Sequence, residues 1–403
     1  MASLKDRMGR EAFSVGFDYA YSKLEKDIRG GAKDLLNLAE KYVNKDATAI
    51  PIDEIKEAMD TPGGVLFSFV ERGMKNLDKA LLKNLFLNTV YEIGMTGRRR
   101  IKEKEAQMGV TVPKFILMEP TSGWNLLAFN DTTGTAGKVP RYDLSLIDMD
   151  RIVEEGEEMG IHLYFLSGGE PLMRREDILS LCKKHPKSIF MCFTNGTLVD
   201  ETLGKEIKRV GNLVPIICLE ELEESIVFER GQSAWDRMLG ACDALKKEKI
   251  MFGTAVCYTS QNCVTATAKD FVKREIDLGS MFSMYSAYAP IAVGDDPQLM
   301  VSPEQRAYVL KRIREIRDFK DGDGLFAFDF QKDAEYLGGS ISGGRTYLHI
   351  DARGDILPST VIKDKAGNIK EKSLEEIISN PNALAYLEPV DRLYRRTLLY
   401  IED

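Results

Sequence analysis

The first 110 residues carry a helical pattern of apolar positions. Apolar side chains recur every three or four residues in segments 12–28, 33–43 and 66–93, and Pro62-Gly63-Gly64 interrupts them. This spacing matches the 3.6 residues of a helical turn. The pattern predicts an N-terminal helical region over residues 1–110, most amphipathic at 66–93.

The pattern changes near residue 112, where short apolar runs alternate with helical stretches. Repeated strand–helix units of about 30 residues predict a parallel sheet with right-handed crossovers over residues 111–330. The expected fold class is α/β, either a partial barrel or a doubly wound sheet. The six predicted strands are 114–119, 162–168, 188–195, 213–220, 250–258 and 281–289.

The remaining chain, 331–403, predicts a small α+β extension. Apolar runs at 346–350 and 356–361 flank a turn at 351–355, which is the pattern of a β-hairpin. Ser373, followed three residues later by Glu376, is a capping box that starts a closing helix. We expect the hairpin to be a module appended to the sheet.

Charge and hydropathy exclude several classes of protein. The 403 residues include 63 acidic and 55 basic side chains, and the net charge of -8 disfavours nucleic acid as a partner. The chain lacks a run of about 18 apolar residues, so no transmembrane segment is expected. Charges near the N-terminus favour a cytoplasmic address over secretion. The pattern leaves the oligomeric state open.

The basic run Arg98–Arg100 follows the most amphipathic stretch. Such a pair of features can form a peripheral membrane or partner-binding face. We favour a second interpretation, in which the amphipathic stretch and the basic run form a solvated helical face packed on a neighbouring domain.

Six cysteines invite a metal or disulfide interpretation, which their spacing does not support. A structural zinc site wants close pairs such as Cys-x-x-Cys, and the sequence has none. Most of the cysteines lie in apolar surroundings, as small buried hydrophobic residues do. They are Cys182, Cys192, Cys218, Cys242, Cys257 and Cys263.

Polar groups follow three consecutive predicted strands. Ser167–Leu172, with the sequence SGGEPL, ends one strand, Thr194–Thr197 ends the next, and Glu220 follows the third. Carboxyl ends of parallel strands meet at one edge of a sheet, where small ligands bind. The sequence therefore predicts a site for a small polar ligand, although Gly-Gly before Pro is also an ordinary turn.

The segments SGGEPLMRREDI, FTNGTLVDE, ERGQSAWDRM and GGSISGGRTYLHIDARGDILPS resemble the radical SAM superfamily, in the branch with a SPASM-type C-terminal extension. The resemblance covers residues 85–390 and implies a partial (β/α)6 TIM-like barrel. It also implies that four residues hold the amino end of S-adenosylmethionine and that three others face or contact the ligand. The first set is Gly168, Gly169, Glu170 and Pro171, and the second is Asn195, Glu220 and Arg230.

The loop after the first strand departs from the family. The resemblance implies three thiolates there, which hold a [4Fe–4S] cluster and leave one iron free for S-adenosylmethionine. This chain has Trp124, Ala128 and Asp131 at those places. The auxiliary ligand positions are also without thiols, with Ser340, Ser359 and, near the C-terminus, Thr397. We therefore expect no catalytic cluster and no 5′-deoxyadenosyl radical.

Three hypotheses follow. The favoured one is a cluster-less relative, with or without retained affinity for S-adenosylmethionine. The second is an active radical SAM enzyme whose [4Fe–4S] cluster is held by unexpected ligands among Cys192, Cys218 and Cys257. The third is a scaffold or membrane-surface protein that acts through its N-terminal helices.

Two further expectations concern individual side chains. Trp124, beside Phe129, is expected to fill the volume that a cluster would occupy, in which case Trp124→Ala would cost on the order of 3 kcal/mol. His162, His185 and His349 are scattered along the chain and are expected to be surface or packing residues.

Overall fold

The N-terminal region is helical, as predicted. The computed structural model describes residues 4–42, 56, 59, 64–125, 140–219, 232–290, 296–318, 321–331, 347–358 and 365–380. Within these, the first elements are α1 (Leu4–Leu24), α2 (Ile28–Tyr42), α3 (Val65–Asn76), α4 (Lys79–Phe86), a π-helical segment (Leu87–Gly97) and α5 (Arg98–Met108).

Strands and helices then alternate along the chain. The strands are β1 (Phe115–Thr121), β2 (Leu163–Gly168), β3 (Ile189–Thr194), β4 (Leu213–Cys218), β5 (Gly253–Tyr258), β6 (Phe282–Ala287), β7 (Phe326–Asp329), β8 (Tyr347–Ile350), β9 (Asp355–Leu357) and β10 (Gly367–Asn368). The helices are α6 (Leu146–Met159), α7 (Arg175–Lys184), α8 (Glu201–Val210), α9 (Gln232–Lys247), α10 (Lys269–Leu278), α11 (Pro303–Ile316) and α12 (Leu374–Ile378).

The strands form one sheet in the order β10-β9-β8-β1-β2-β3-β4-β5-β6-β7. Neighbouring strands from β8 to β7 are parallel, whereas β9 and β10 run antiparallel to their neighbours. The predicted α/β fold is confirmed, and all six predicted strands are present. The pattern missed β7, a short strand that follows α11.

The predicted hairpin is present, but its position differs from the expectation. Strands β8 and β9 pair antiparallel, yet β8 also pairs with β1 in parallel, Leu117 opposite His349. The hairpin therefore extends the main sheet and is not appended to it. The division into regions 1–110, 111–330 and 331–403 stays a prediction.

The sheet curves so that one face is enclosed. Phe330, directly after β7, has its ring centroid 6.1 Å from Phe115, 5.8 Å from Phe165 and 6.0 Å from Tyr347, which lie on β1, β2 and β8. We call the face with these rings the inner face. Alternate residues point the other way, where Ile116, Met118 and their neighbours pack against the surrounding helices.

The amino ends of the strands, which we call the lower end, are closed by N-terminal helices. Leu77 and Leu85 pack in one buried cluster with Phe115 and other inner-face residues. The Asn84 side-chain amide donates to the Gly211 carbonyl before β4 (2.9 Å), and the Asp78 backbone N–H donates to the Lys249 carbonyl (2.9 Å). Leu77 and α4 thus contribute to the core on the inner face of the sheet.

The basic run begins α5 and takes part in this packing. Arg100 donates to the Glu157 carbonyl at 2.9 Å, and Arg99 lies 3.8 Å from Glu103. The Arg100 contact reaches α6 and agrees with the favoured interpretation of a face packed on a neighbouring part of the chain, whereas the Arg99–Glu103 pair lies within α5. Among the described helices, none combines the length and the apolar character that crossing a membrane requires.

Candidate functional site

The glycines of the SGGEPL turn make room for protein backbone. Gly168 has φ +98° and Gly169 donates its N–H to the Thr121 carbonyl at 2.9 Å. A Cβ built on Gly169 would lie 2.0 Å from the Gly123 carbonyl oxygen. The sequence predicted that a ligand comes close to these glycines. At Gly169 it is the backbone of the loop after β1 that comes close. Only glycine fits there.

Glu170 joins two strand ends. Its carboxylate accepts from the Leu172 N–H (3.0 Å), the Thr194 hydroxyl (2.9 Å) and the Asn195 N–H (2.9 Å), and the residue is 1% exposed. Pro171 starts the short 3₁₀ helix that this carboxylate caps. The structure thus gives Glu170 protein partners, whereas the resemblance implied a ligand ammonium group.

Asn195 extends the same network to the loop after β1. Its side-chain amide donates to the side-chain oxygen Oδ1 of Asn125 (2.9 Å). The side-chain amide of Asn125 donates to the Thr197 hydroxyl (3.0 Å). Thr197 in turn donates its backbone N–H to the Asn195 oxygen at 3.0 Å. The ends of β1, β2 and β3 are therefore held together by mutual hydrogen bonds. The sequence predicted a site at the ends of β2, β3 and β4, and Glu220, which follows β4, lies outside the described residues.

Trp124 is not where the sequence placed it. Its side chain is 61% exposed, so it does not fill an enclosed volume at the top of the barrel. The predicted packing was wrong, because two aromatic residues that are close in sequence do not by themselves form a cavity that the indole could fill. Other predicted residues lie outside the described residues: Ala128, Phe129, Asp131, Glu220, Arg230, Ser340, Ser359 and Thr397.

Four of the six cysteines are held away from metal chemistry by burial, whereas Cys218 and Cys257 are half-buried. Cys182, Cys192, Cys242 and Cys263 are buried. Loss of solvation raises the pKa of Cys242 to about 12 and also raises the pKa values of Cys182 and Cys192 well above the ordinary range. Since the thiolate is the metal ligand, these thiols are poorly suited to hold iron.

The alternative cluster of Cys192, Cys218 and Cys257 is not assembled. Cys192 lies opposite Pro215 in the β3–β4 ladder, so both side chains point to the outer face of the sheet. Cys218 lies an odd number of positions after Pro215 on β4, and its side chain therefore points to the inner face. Cys257 shares the inner face with Cys218. Within the described parts of the chain, no group of three or more His, Cys, Asp or Glu side chains is arranged to hold a metal ion.

The inner face carries a polar pair that the sequence did not predict. His349 Nε2 lies 2.8 Å from Glu119 Oε1, and His349 is 4% exposed. His349 was expected to be a surface or packing residue of an appended hairpin. It is instead a buried residue of the main sheet, because β8 lies beside β1.

Charged side chains fix the outer rim of the loop after β1. Asp143 accepts from Arg141 at 3.0 Å and lies 3.7 Å from Arg174. Burial alone would raise the pKa of Asp143, but hydrogen bonds from Arg141 and Thr121 and the two arginine charges hold it below its usual range. The rim carboxylate is therefore ionised and anchors the end of β1.

Two signals in the sequence could have identified the polar pair. Glu119 is the single charged residue in the run FILMEPT, and His349 alternates with Tyr347 and Asp351 in a strand pattern. Neither signal shows that the two strands are neighbours, since 230 positions separate the residues.

Comparisons with known proteins agree with this architecture. The family model of the radical SAM superfamily matches residues 128–262. The AdoMet-dependent heme synthase of Methanosarcina barkeri is 22% identical over 70% of this chain and 86% of its own length. The Fe-coproporphyrin III synthase of the same organism is 24% identical over 48% of this chain and 50% of its own length.

Solved structures share the fold. A structure of anSMEcpe with bound AdoMet has a TM-score of 0.54 and 20% identity, and covers 68% of this chain and 80% of its own. Streptococcus suis SuiB bound to S-adenosylmethionine has a TM-score of 0.52 and 18% identity, with coverages of 71% and 70%.

Proposed function

Because this chain belongs to the radical SAM superfamily, we propose that it is a cluster-less member that binds a small ligand at the carboxyl ends of its strands. S-adenosylmethionine is the first ligand to test. The observation that carries the proposal is the residue set Trp124, Ala128 and Asp131 at the three places where the resemblance implies cluster thiolates.

The donor chemistry of these residues does not fit an iron–sulfur cluster. An indole N–H is a donor only, an alanine methyl has no ligand atom, and one carboxylate cannot replace three thiolates. The exposed position of Trp124 supports the proposal, because its side chain is not part of an enclosed cage. We therefore derive no reductive cleavage step for this chain.

The upper end of the inner face supports a ligand-binding role. Its upper positions include half-buried side chains, which a ligand can reach, above a fully buried aromatic layer. These side chains are Met191, Phe193, Cys218, Ala255, Cys257, Ser286 and Phe330. The network of Glu170, Asn195 and Asn125 holds the neighbouring turns in place, so the backbone beside these side chains is preorganised.

Calorimetric titration of the iron-free protein with S-adenosylmethionine tests the binding. We expect measurable heat with one site per chain. The matched comparison is the triple variant Trp124→Cys, Ala128→Cys, Asp131→Cys, reconstituted anaerobically with iron and sulfide. If the wild-type protein itself became brown and held about four irons per chain, the cluster-less proposal would be wrong.

A calorimetric result without heat separates the two forms of the hypothesis. In that case S-adenosylmethionine is not the ligand. The Gly and Asn residues of the strand-end turns are then needed for the backbone conformation and internal hydrogen bonds of the turns. The products in the names of the two Methanosarcina relatives, heme and Fe-coproporphyrin III, then provide the next class of probe.

A further inference from the structure

His185 lies between two carboxylates of one helix. It is the residue that ends α7, and its side chain is 4% exposed. Its Nε2 atom lies 2.9 Å from Asp150 Oδ1, and its Nδ1 atom lies 3.3 Å from Glu157 Oε2. Both carboxylates belong to α6. The imidazole ring therefore bridges α6 and the turn 185–188, which leads from α7 into β3.

The two carboxyl groups have partners that favour their ionised forms. Asp150 also pairs with Lys184, and Glu157 accepts a hydrogen bond from the Ser188 hydroxyl at 2.7 Å. Burial alone would raise the pKa of both carboxyl groups, but the hydrogen bonds and charges of these partners and of His185 hold each pKa below its usual range. Both groups are therefore ionised at neutral pH.

The hydrogens of the ring follow from these two partners. An ionised carboxylate only accepts hydrogen bonds, so a bare ring nitrogen would turn its lone pair toward a negative charge. Burial alone would lower the pKa of His185, but the contacts with Glu157 and Asp150 outweigh it and raise the pKa. The ring also lies at the C-terminus of α7, where the helix dipole favours a cation. The geometry therefore indicates an imidazolium at neutral pH.

His162 lies close to the same turn without two carboxylates on its ring. Its Nδ1 atom lies 3.4 Å from the Ser188 hydroxyl, and burial lowers its pKa although the charge of Glu157 opposes the shift. His162 is therefore expected to be neutral where His185 is charged. The charged and titratable groups around the two carboxylates and the turn come from α5, α6, α7, the π-helical segment and the residue before β2: Arg100, Glu154, Lys184, Lys187, Glu92 and His162.

We propose that His185 is a charge-dependent clamp: as an imidazolium it holds the turn 185–188 against α6, and loss of one proton to solvent releases the turn. The clamp acts beside contacts that do not titrate, since the Asn212 side-chain amide donates to the carbonyls of His185 and Ser188 at 2.9 Å each. These contacts tie the turn to β4, whereas the clamp ties it to α6.

The sign of the pH dependence follows from the two states of the chain. The folded protein binds the proton of His185 more tightly than the unfolded chain, in which the pKa of a histidine is about 6.5. The stabilisation from His185 is therefore fully present below about pH 6.5 and is lost as the pH rises through the raised pKa. For Asp150 and Glu157 the sign is opposite, so their contribution is lost as the pH falls through their lowered pKa values.

The clamp lies at the opposite end of the strands from the candidate site. His185 precedes the amino end of β3, whereas Asn195 follows its carboxyl end. The clamped helix α6 begins three residues after the rim residue Asp143. The clamp therefore joins two elements whose other ends border the candidate site, and its test needs no ligand.

Nitrogen-detected NMR of protein labelled with ¹⁵N in its histidines tests the charge. The chain has 3 histidines, so each resonance can be assigned by substitution. At neutral pH we expect both ring nitrogens of His185 to carry hydrogen, whereas one nitrogen of His162 should be bare. A bare nitrogen on His185 at neutral pH would overturn the clamp.

Two variants separate the carboxylate from its general surroundings. An asparagine amide can donate to a neutral ring, so Asp150→Asn should lower the pH midpoint at which His185 titrates. Lys184→Gln removes a cation beside the same carboxylate and keeps both carboxylates, so it should not lower the midpoint. An Asp150→Asn midpoint equal to that of the wild type would contradict the proposal, because the carboxylate would then not hold the proton.

Hydrogen exchange followed by mass spectrometry tests the release of the turn. Between neutral pH and about pH 9, peptides that cover the turn should lose protection about tenfold as His185 deprotonates, after correction for the intrinsic pH dependence of exchange. Peptides from α11 report global opening and are the reference. His185→Gln, which does not titrate at this position, should show no such loss. Constant protection of the wild-type turn through the deprotonation of His185 would mean that the charge does not hold the turn, and the clamp would be wrong.

Discussion

The two ends of the barrel are built by different physical means. The lower end is closed by apolar contacts, in which Leu77 and Leu85 pack against the first residues of the strands. The upper end is held by hydrogen bonds that the Asn195 backbone N–H donates to Glu170 and the Asn195 side chain donates to Asn125. At the lower end the helices bury surface, whereas at the upper end the turns hold each other in place beside a reachable inner face.

This difference separates stability from function. Apolar burial is non-directional and contributes most of the folding free energy. Directional hydrogen bonds contribute less net energy but fix positions. Changes at the lower end should therefore alter stability with little effect on ligand affinity, whereas changes at the upper end should weaken ligand binding.

The largest expected effect is that of Leu85→Ala. This side chain is 9% exposed and lies between the helices and the strands. Its truncation leaves a cavity, and we expect a loss of about 4 kcal/mol in the free energy of unfolding. Urea denaturation measures it. Val15→Ala, at a residue 69% exposed, is the control and should stay within about 0.5 kcal/mol.

Glu275 should make stability fall as pH rises. It is fully buried beside the strands, accepts from Thr254 (2.5 Å) and Ser283 (2.6 Å), and burial raises its pKa to about 7. Between the ordinary carboxyl pKa and this value, the folded protein holds a proton that the unfolded chain has released. Stability is therefore complete below about pH 4.5 and is lost as the pH rises through 7, by on the order of 3 kcal/mol.

Urea denaturation of Glu275→Gln and of the wild type, measured between about pH 4.5 and 7, isolates the contribution of Glu275 to stability. The other titrating groups are common to both proteins. The variant should lack the decline. A parallel decline in both proteins would assign the pH dependence to other groups.

Gly169→Ala tests the upper end. The added Cβ would lie 2.0 Å from the Gly123 carbonyl oxygen, so the loop after β1 must move. We expect a stability loss of about 2 kcal/mol together with weaker ligand binding. Gly240→Ala is the matched control, because nothing lies within 4 Å of its Cβ position in α9 and alanine favours a helix. Equal behaviour of the two variants would contradict the close approach.

The local sequence predicted most of the elements and the turns that border the candidate site. Apolar runs that end in Gly or Asn identified β2 and β3 and the polar turns after them, because strand length and turn chemistry are local properties. The register of β8 beside β1 depends on pairing between distant segments, so the Glu119–His349 pair could not be predicted. The exposure of Trp124 was missed for the same reason, since burial depends on what the fold brings near.

Trp124→Ala should have the smallest effect on stability, below about 0.5 kcal/mol, because the indole is 61% exposed and its removal opens no cavity. The chain's other tryptophan, Trp235, is 6% exposed and packs in the buried cluster outside the sheet, so Trp235→Ala should cost about 3 kcal/mol. Chemical denaturation followed by circular dichroism compares the two variants without relying on tryptophan fluorescence. A loss near 3 kcal/mol for Trp124→Ala would mean that the indole fills a cavity after all, and the upper end would then be closed by apolar packing as the lower end is.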